Sequence, residues 1–278
     1  MRKPTYLATE YRLVLAGDEL EIKYFEKPIY YGFSVDPKVP IYHESEEDSR
    51  ERSRYRSIRR VRDLVNTNFE NWVDQFGNVC ISKFLTLTFR DDVFLPREAN
   101  PEFKLFIKRL NYRIFKTKRS EIKYLATIEF MPDSKKLHYH MLIFNLPFVD
   151  NLYNIINEEW GQGFIFIEKV PDKNIGQYIT KYMTKSDDEK LRGQMSYLRS
   201  QELLEPTIIL DQKFVRKIFR SLPHEAQIYA TAYKSEHHGM TEIKKYSLKK
   251  FSKIKTYILA NIPKPVKFKK NHEANHNL

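Results

Sequence analysis

His138 and His140 flank Tyr139 within the apolar run Leu137-His-Tyr-His-Met-Leu-Ile-Phe144. On a strand, residues two apart leave the same face, so this spacing presents two imidazoles side by side. Forty residues after His138, Tyr178-Ile-Thr-Lys-Tyr-Met-Thr-Lys185 places Tyr178 and Tyr182 four apart, with Lys181 and Lys185 three residues after each tyrosine. On a helix, both tyrosines share one face, and the lysines lie a little further round. Imidazoles can ligate a metal. A phenolate can attack a phosphodiester and keep the bond energy in a phosphotyrosine ester. A phenol has a pKa of about 10, so a lysine beside it favours the reactive anion. Both motifs also fit plainer roles: hydrogen-bonded strand histidines, and a packed tyrosine stripe with surface lysines.

The strand before the histidines narrows the choice. Lys123-Tyr-Leu-Ala-Thr-Ile-Glu-Phe130 precedes the turn Met131-Pro-Asp-Ser-Lys-Lys136, so it should form a hairpin with the histidine strand. If Glu129 lies across from His138, Thr127 lies across from His140. Glu129 then shares the imidazole face, with cross-strand Cβ atoms about 5 Å apart. Two nitrogens and a carboxylate suit a borderline divalent ion. Mn²⁺ or Mg²⁺ is expected where phosphate oxygens complete the shell.

The flanking patterns supply the scaffold. Ser82-Lys-Phe-Leu-Thr-Leu-Thr-Phe89 alternates as a strand, with Phe84, Thr86 and Thr88 on one face. The spacing predicts helices over residues 53–68, 101–118, 149–160 and 174–185, and a strand over 163–168. Residues 1–42 read as two or three short strands. The whole is of α+β class with a central antiparallel hairpin. Three segments are expected: a strand-rich region with an arginine-rich helix (1–75), a core (76–190) and a mostly helical basic region (191–278).

The 278 residues carry a net charge of +12, which favours a polyanionic partner. Arg56, Arg59 and Arg60 lie on the arginine-rich helix, where guanidinium forks could grip phosphates. Residues 241–270 hold ten lysines, among them Lys249 and Lys250. One cysteine, Cys80, excludes an intrachain disulfide and a cysteine-rich zinc site. No apolar stretch approaches the roughly 18 residues of a membrane span, and no signal-peptide core follows Met1. A cytoplasmic protein in a bacterial host cell is expected, with no membrane partner.

Together these residues resemble the HUH endonuclease superfamily, in particular the rolling-circle replication initiators (Rep proteins) of plasmids and single-stranded DNA phages. Phe84-Leu-Thr-Leu-Thr-Phe89 is similar to the first family motif, a strand that helps contact DNA, which points to Thr86 and Thr88. Leu137–Ile143 resembles the His-hydrophobic-His motif, and Tyr178–Lys185 the two-tyrosine motif. Glu129 matches the place of the family's acidic third ligand. The resemblance covers residues 80–186. It implies a ferredoxin-like fold, metal-dependent nicking and rejoining of single-stranded DNA at a replication origin, a 5′-phosphotyrosine intermediate and a 3′-OH that primes synthesis. The sequence shows no Gly-Lys-Ser/Thr nucleotide loop, so host helicase and polymerase are expected partners. Relaxases and transposases of the same superfamily are alternatives, though relaxases cluster three histidines. A non-catalytic binder of single-stranded nucleic acid, and a metallophosphoesterase using activated water, are others.

Overall fold

The computed structural model describes residues 7–31, 46–170, 175–184, 191, 195–235 and 238–264. Lys185 lies outside the described residues, as do Lys267, Lys269 and Lys270 of the lysine-rich stretch. The elements run β1 (Leu7–Ala16), β2 (Glu19–Tyr31), α1 (Glu46–Asn68), β3 (Lys83–Leu87), α2 (Pro96–Phe115) and β4 (Tyr124–Phe130). They continue with β5 (Leu137–Ile143), α3 (Leu152–Trp160), β6 (Ile165–Lys169), α4 (Ile175–Thr184), β7 (Tyr197–Arg199) and β8 (Thr207–Ile209). Then come α5 (Gln212–Ser221), β9 (Gln227–Ser235), β10 (Gly239–Ser247) and α6 (Ser252–Ala260). Among the described residues, two antiparallel five-stranded sheets with six α-helices make this an α+β protein. Among the described residues no helix is long and apolar enough to cross a membrane.

The chain divides into two units, Ser45–Glu205 and the pair Met1–Glu44 with Pro206–Leu278. The Ser45–Glu205 unit is built on the sheet β6-β3-β5-β4-β7. Both faces of its central strands carry buried apolar residues, as a sheet covered by helices on each side requires. Leu85, Leu87, Ile128, Tyr139 and Met141 pack under Phe103, Phe106 and Leu110 of α2 and Trp160 of α3. Phe84, Leu125 and Leu142 face the other way, against Val61, Leu64 and Val65 of α1 and Ile179 and Met183 of α4. The acidic first turn of α1, Glu46, Glu47 and Asp48, matches the positive end of its helix dipole.

The hairpin register is the one that the sequence predicts: Glu129 pairs with His138 and Thr127 with His140. Strand β3 lies on the other side of β5 and places Thr86 beside His140.

The second unit has the sheet β8-β1-β2-β10-β9 around Leu13, Leu20, Ile22, Val215, Tyr246 and Ile258. Here the structure corrects the reading of residues 191–278 as mostly helical: α5 and α6 accompany four strands. The lysine-rich stretch holds the expected helix in α6, but its first part is a strand whose partners are remote in sequence. In β10, Tyr246 pairs with Leu20 and Lys245 with Glu21 of β2, and Lys245 Nζ lies 2.8 Å from Glu19 Oε1. The division also falls elsewhere than the three expected segments. The arginine-rich α1 groups with the histidine sheet, and residues 7–31 group with the C-terminal strands.

Candidate active site

The site lies on the sheet face under α4. Helix α4 is held there by Ile179 and Met183, both buried, each contributing about 1.5–3 kcal/mol through burial. Close approach to α1 is possible because residue 176 is glycine: a Cβ there would stand 2.7 Å from Arg62 Cγ and 2.9 Å from the Arg62 carbonyl oxygen. This packing turns Tyr178 and Tyr182 toward the histidine strand.

His140 is buried and held at both ring nitrogens. Nδ1 lies 3.1 Å from Thr86 Oγ1, and Nε2 lies 2.6 Å from Glu129 Oε2. A carboxylate only accepts, so Nε2–H donates to Glu129, while the Thr86 hydroxyl, which can donate or accept, meets Nδ1. His138, half-buried, stands across from Glu129. Burial lowers its pKa below the usual histidine value; His140 and Lys136 act in the same direction and Glu129 opposes them. Its imidazole is therefore neutral near pH 7, the form that ligates metals.

The donor chemistry of Glu129, His138 and His140 fits a divalent ion. Their spacing is that of a hydrogen-bonded network, and among the described residues no group of three or more His, Cys, Asp or Glu is already set to hold one. Neighbouring ligands at about 2.1 Å from an octahedral ion stand about 3.0 Å apart. The 2.6 Å contact between Glu129 and His140 would have to open by a few tenths of an ångström and release its proton.

The tyrosines complete the face. The Tyr182 ring stacks on the His140 imidazole, with centroids 3.6 Å apart and planes at 19°. Its hydroxyl donates to Tyr178 Oη at 3.1 Å, and the Tyr178 hydroxyl donates to Glu168 Oε2 at 2.9 Å. Phe84 packs edge-on against Tyr178 and stacks against Tyr182. Lys181 Nζ lies 5.2 Å from the Tyr178 ring centroid, a cation–π position over the ring. The expected lowering of the phenol pKa is not what the structure gives. Burial raises Tyr178, reinforced by its hydrogen bonds to Tyr182 and Glu168. Burial also raises Tyr182, opposed by the hydrogen bond with Tyr178 and reinforced by the charges of Glu168 and Glu129. Both phenols are therefore protonated near neutral pH.

The residues expected to meet DNA separate. Thr86 holds His140, and Thr88 Oγ1 donates to the Phe164 carbonyl and accepts from its N–H, locking β3 to the chain before β6. Arg60 pairs with Glu205, and Arg59 lies 3.9 Å from Asp63. Arg56 is exposed on α1. Lys249 and Lys250 are exposed after β10, in the other unit. A cleft of about 990 Å³ in the unit of the histidines is lined by Lys104, Lys108, Tyr112, Lys118 and Arg119 on its basic side and by Glu202.

Glu168 is the site residue that the sequence reading misses. It closes the apolar run Ile165-Phe-Ile-Glu168, and the register of β6 against β3 sets it beside Phe84. The only local signal is a carboxylate on the alternate face of that run. Its meaning depends on a strand pairing between segments about eighty residues apart.

Residues 82–187 match the family described as replication-associated protein ORF2. A relative, the phasyl DNA replicon protein arp of Escherichia coli, is 30% identical over 157 residues, which cover 45% of this chain and 52% of the relative. The chain thus spans about half the length of that relative. No solved structure is a significant match. The resemblance to Rep-type replication initiators drawn from the motifs is borne out by both findings.

Proposed function

From the premise that residues 82–187 are similar to the replication-associated protein ORF2 family, we propose that the chain is an HUH-type initiator of rolling-circle DNA replication. It nicks one strand of single-stranded DNA at an origin and rejoins it through a 5′-phosphotyrosine. The observation that carries this reading is the stacking of Tyr182 on His140, with Tyr178 hydrogen-bonded to Tyr182. It brings both phenols to the only face where two imidazoles and a carboxylate meet among the described residues. The order strand-helix-strand-strand-helix-strand over β3 to β6, arranged β6-β3-β5-β4, supports a ferredoxin-like core.

Glu129, His138 and His140 would hold Mn²⁺ or Mg²⁺, which when bound polarises the scissile phosphate and steadies the departing 3′-oxygen. The chain's own residues do the rest. Thr86 orients His140. Tyr178 or Tyr182 forms its Oη–P bond as the P–O3′ bond breaks, and its proton must leave. Lys181, with Lys185, adds positive charge near the phosphate. Host helicase and polymerase would use the 3′-OH, in the host cytoplasm.

The test is a denaturing gel of the chain with labelled single-stranded DNA from its replicon, with Mn²⁺ or with EDTA. A protein–DNA adduct formed only with Mn²⁺ supports the reading. Cleavage without an adduct points to a water-activating phosphoesterase. Binding without cleavage, across oligonucleotides tiled over the replicon, points to a non-catalytic binding protein.

A further inference from the structure

We propose that Glu168 is the general base of the nicking step, taking the proton of Tyr178 directly and that of Tyr182 by way of Tyr178. This rests on the tyrosine-nucleophile reading above.

The geometry is a chain of donors. Tyr182 Oη donates to Tyr178 Oη at 3.1 Å, and Tyr178 Oη donates to Glu168 Oε2 at 2.9 Å. Glu168 is exposed at the end of β6, so a proton received there can pass to water, whereas Tyr178 and Tyr182 are half-buried. Burial holds the Tyr178 phenol neutral. Among the described residues, the charged groups near Tyr178 include Glu168, whose charge favours the neutral phenol, and Lys181 over the ring. A lysine in that place steadies charge but carries no lone pair while protonated, so it cannot accept the proton. The carboxylate can.

A carboxylic acid is stronger than a phenol by roughly six pKa units, so Glu168 does not strip Tyr178 before attack. Transfer accompanies bond formation, as the phenol oxygen gives electron density to phosphorus and its proton becomes acidic. In that step Tyr178 Oη–P forms, P–O3′ breaks, the Tyr178 proton goes to Glu168, and the departing 3′-oxygen takes one from water. The reverse transfer serves rejoining: Glu168 returns the proton to Tyr178 as the ester is broken by an incoming 3′-OH, whose own proton passes to water.

The test measures single-turnover adduct formation by the full chain on single-stranded replicon DNA with Mn²⁺. The Tyr182→Phe background leaves Tyr178 as nucleophile, and the Tyr178→Phe background leaves Tyr182. Glu168→Gln keeps a hydrogen-bond acceptor of the same shape and removes the basicity. In the Tyr182→Phe background it lowers the rate by about 100-fold or more, the ordinary worth of general-base catalysis. It also makes the rate rise continuously with hydroxide, as expected once solvent must take the proton. In the Tyr178→Phe background, where the link to Tyr182 is cut, the loss is at least about tenfold smaller, the non-additivity expected of coupled groups. Equal losses in both backgrounds with unaltered pH profiles, or no loss in the first, overturn the proposal. A native chain that forms no adduct overturns the nucleophile reading instead, and this role falls with it. Matching melting curves for the Glu168→Gln variants exclude a folding defect.

Discussion

The ring of Tyr182 lies flat on the imidazole of His140, 3.6 Å between centroids, while His140 is gripped at its nitrogens by Thr86 and Glu129. A proposed nucleophile and a proposed metal ligand are therefore in direct contact. Tyr182→Phe should leave Mn²⁺ affinity unchanged, since the ring stays. Tyr182→Leu should weaken it by up to about tenfold, given that an aromatic pair is worth about 0.5–1.5 kcal/mol. Calorimetric Mn²⁺ titrations of the two variants decide; identical affinities would mean that the stack does not hold the imidazole.

The double variant Tyr178→Phe/Tyr182→Phe should form no DNA adduct while still binding single-stranded DNA, because only hydroxyls are removed. His138→Ala should lose the Mn²⁺-dependent adduct as well. Retained cleavage by the double variant, read on the same denaturing gel, would remove the tyrosines from the chemistry.

Gly176→Ala tests the seating of α4. The added methyl meets Arg62 and the Asn66 Oδ1 atom at 2.6 Å, so α4 must move away from α1. A loss of about 1–3 kcal/mol, the usual cost of overpacking, should appear in urea unfolding together with slower adduct formation. Wild-type stability in that variant would show that the approach is looser than described.

Buried phenols set the alkaline limit of the fold. Burial pushes Tyr124 up to about 12 and Tyr139 and Tyr178 higher than a free phenol. An acid whose folded pKa is raised contributes stability that is fully present below its unfolded pKa, about 10, and lost above it. The urea midpoint should hold from pH 8 to about pH 10 and fall beyond it. The phenolate absorbance of these groups should appear only with unfolding. A midpoint flat to about pH 11.5 would contradict this.

The basic cleft makes a separate prediction. Reversing Lys104, Lys108 and Lys118 to glutamate should weaken single-stranded DNA binding and flatten its salt dependence, by about 0.7 in log–log slope for each phosphate no longer neutralised. Fluorescence anisotropy across a salt series reads both. An unchanged slope would place the DNA elsewhere.

The histidine hairpin was legible because its information is local. A six-residue turn and two alternating strands set the register of Glu129 against His138. The tyrosine helix was legible from its period. What could not be read was whatever needed remote pairing: Glu168 becomes a partner of Tyr178 only through β6 against β3, and β10 is a strand only because β2 stands beside it. Part of the lysine-rich stretch is the helix expected of it, Ser252–Ala260, but Gly239–Ser247 is a strand, which lysine counts cannot reveal because they carry no record of Glu19 and Glu21 two hundred residues earlier. The pKa directions of the tyrosines were also missed, because sequence shows the neighbouring lysines and not the depth of burial.

The pairing of Leu20 with Tyr246 has a consequence for biosynthesis. The unit Ser45–Glu205 is synthesised in full before β10, so it can fold first, on contacts within one continuous stretch. Strand β1 can pair with β8 once Thr207–Ile209 is made, but β2 lacks its other neighbour until Gly239–Ser247 follows. Their sheet therefore closes late, between segments remote in sequence, and until then the β2 edge is left open to pairing with another chain.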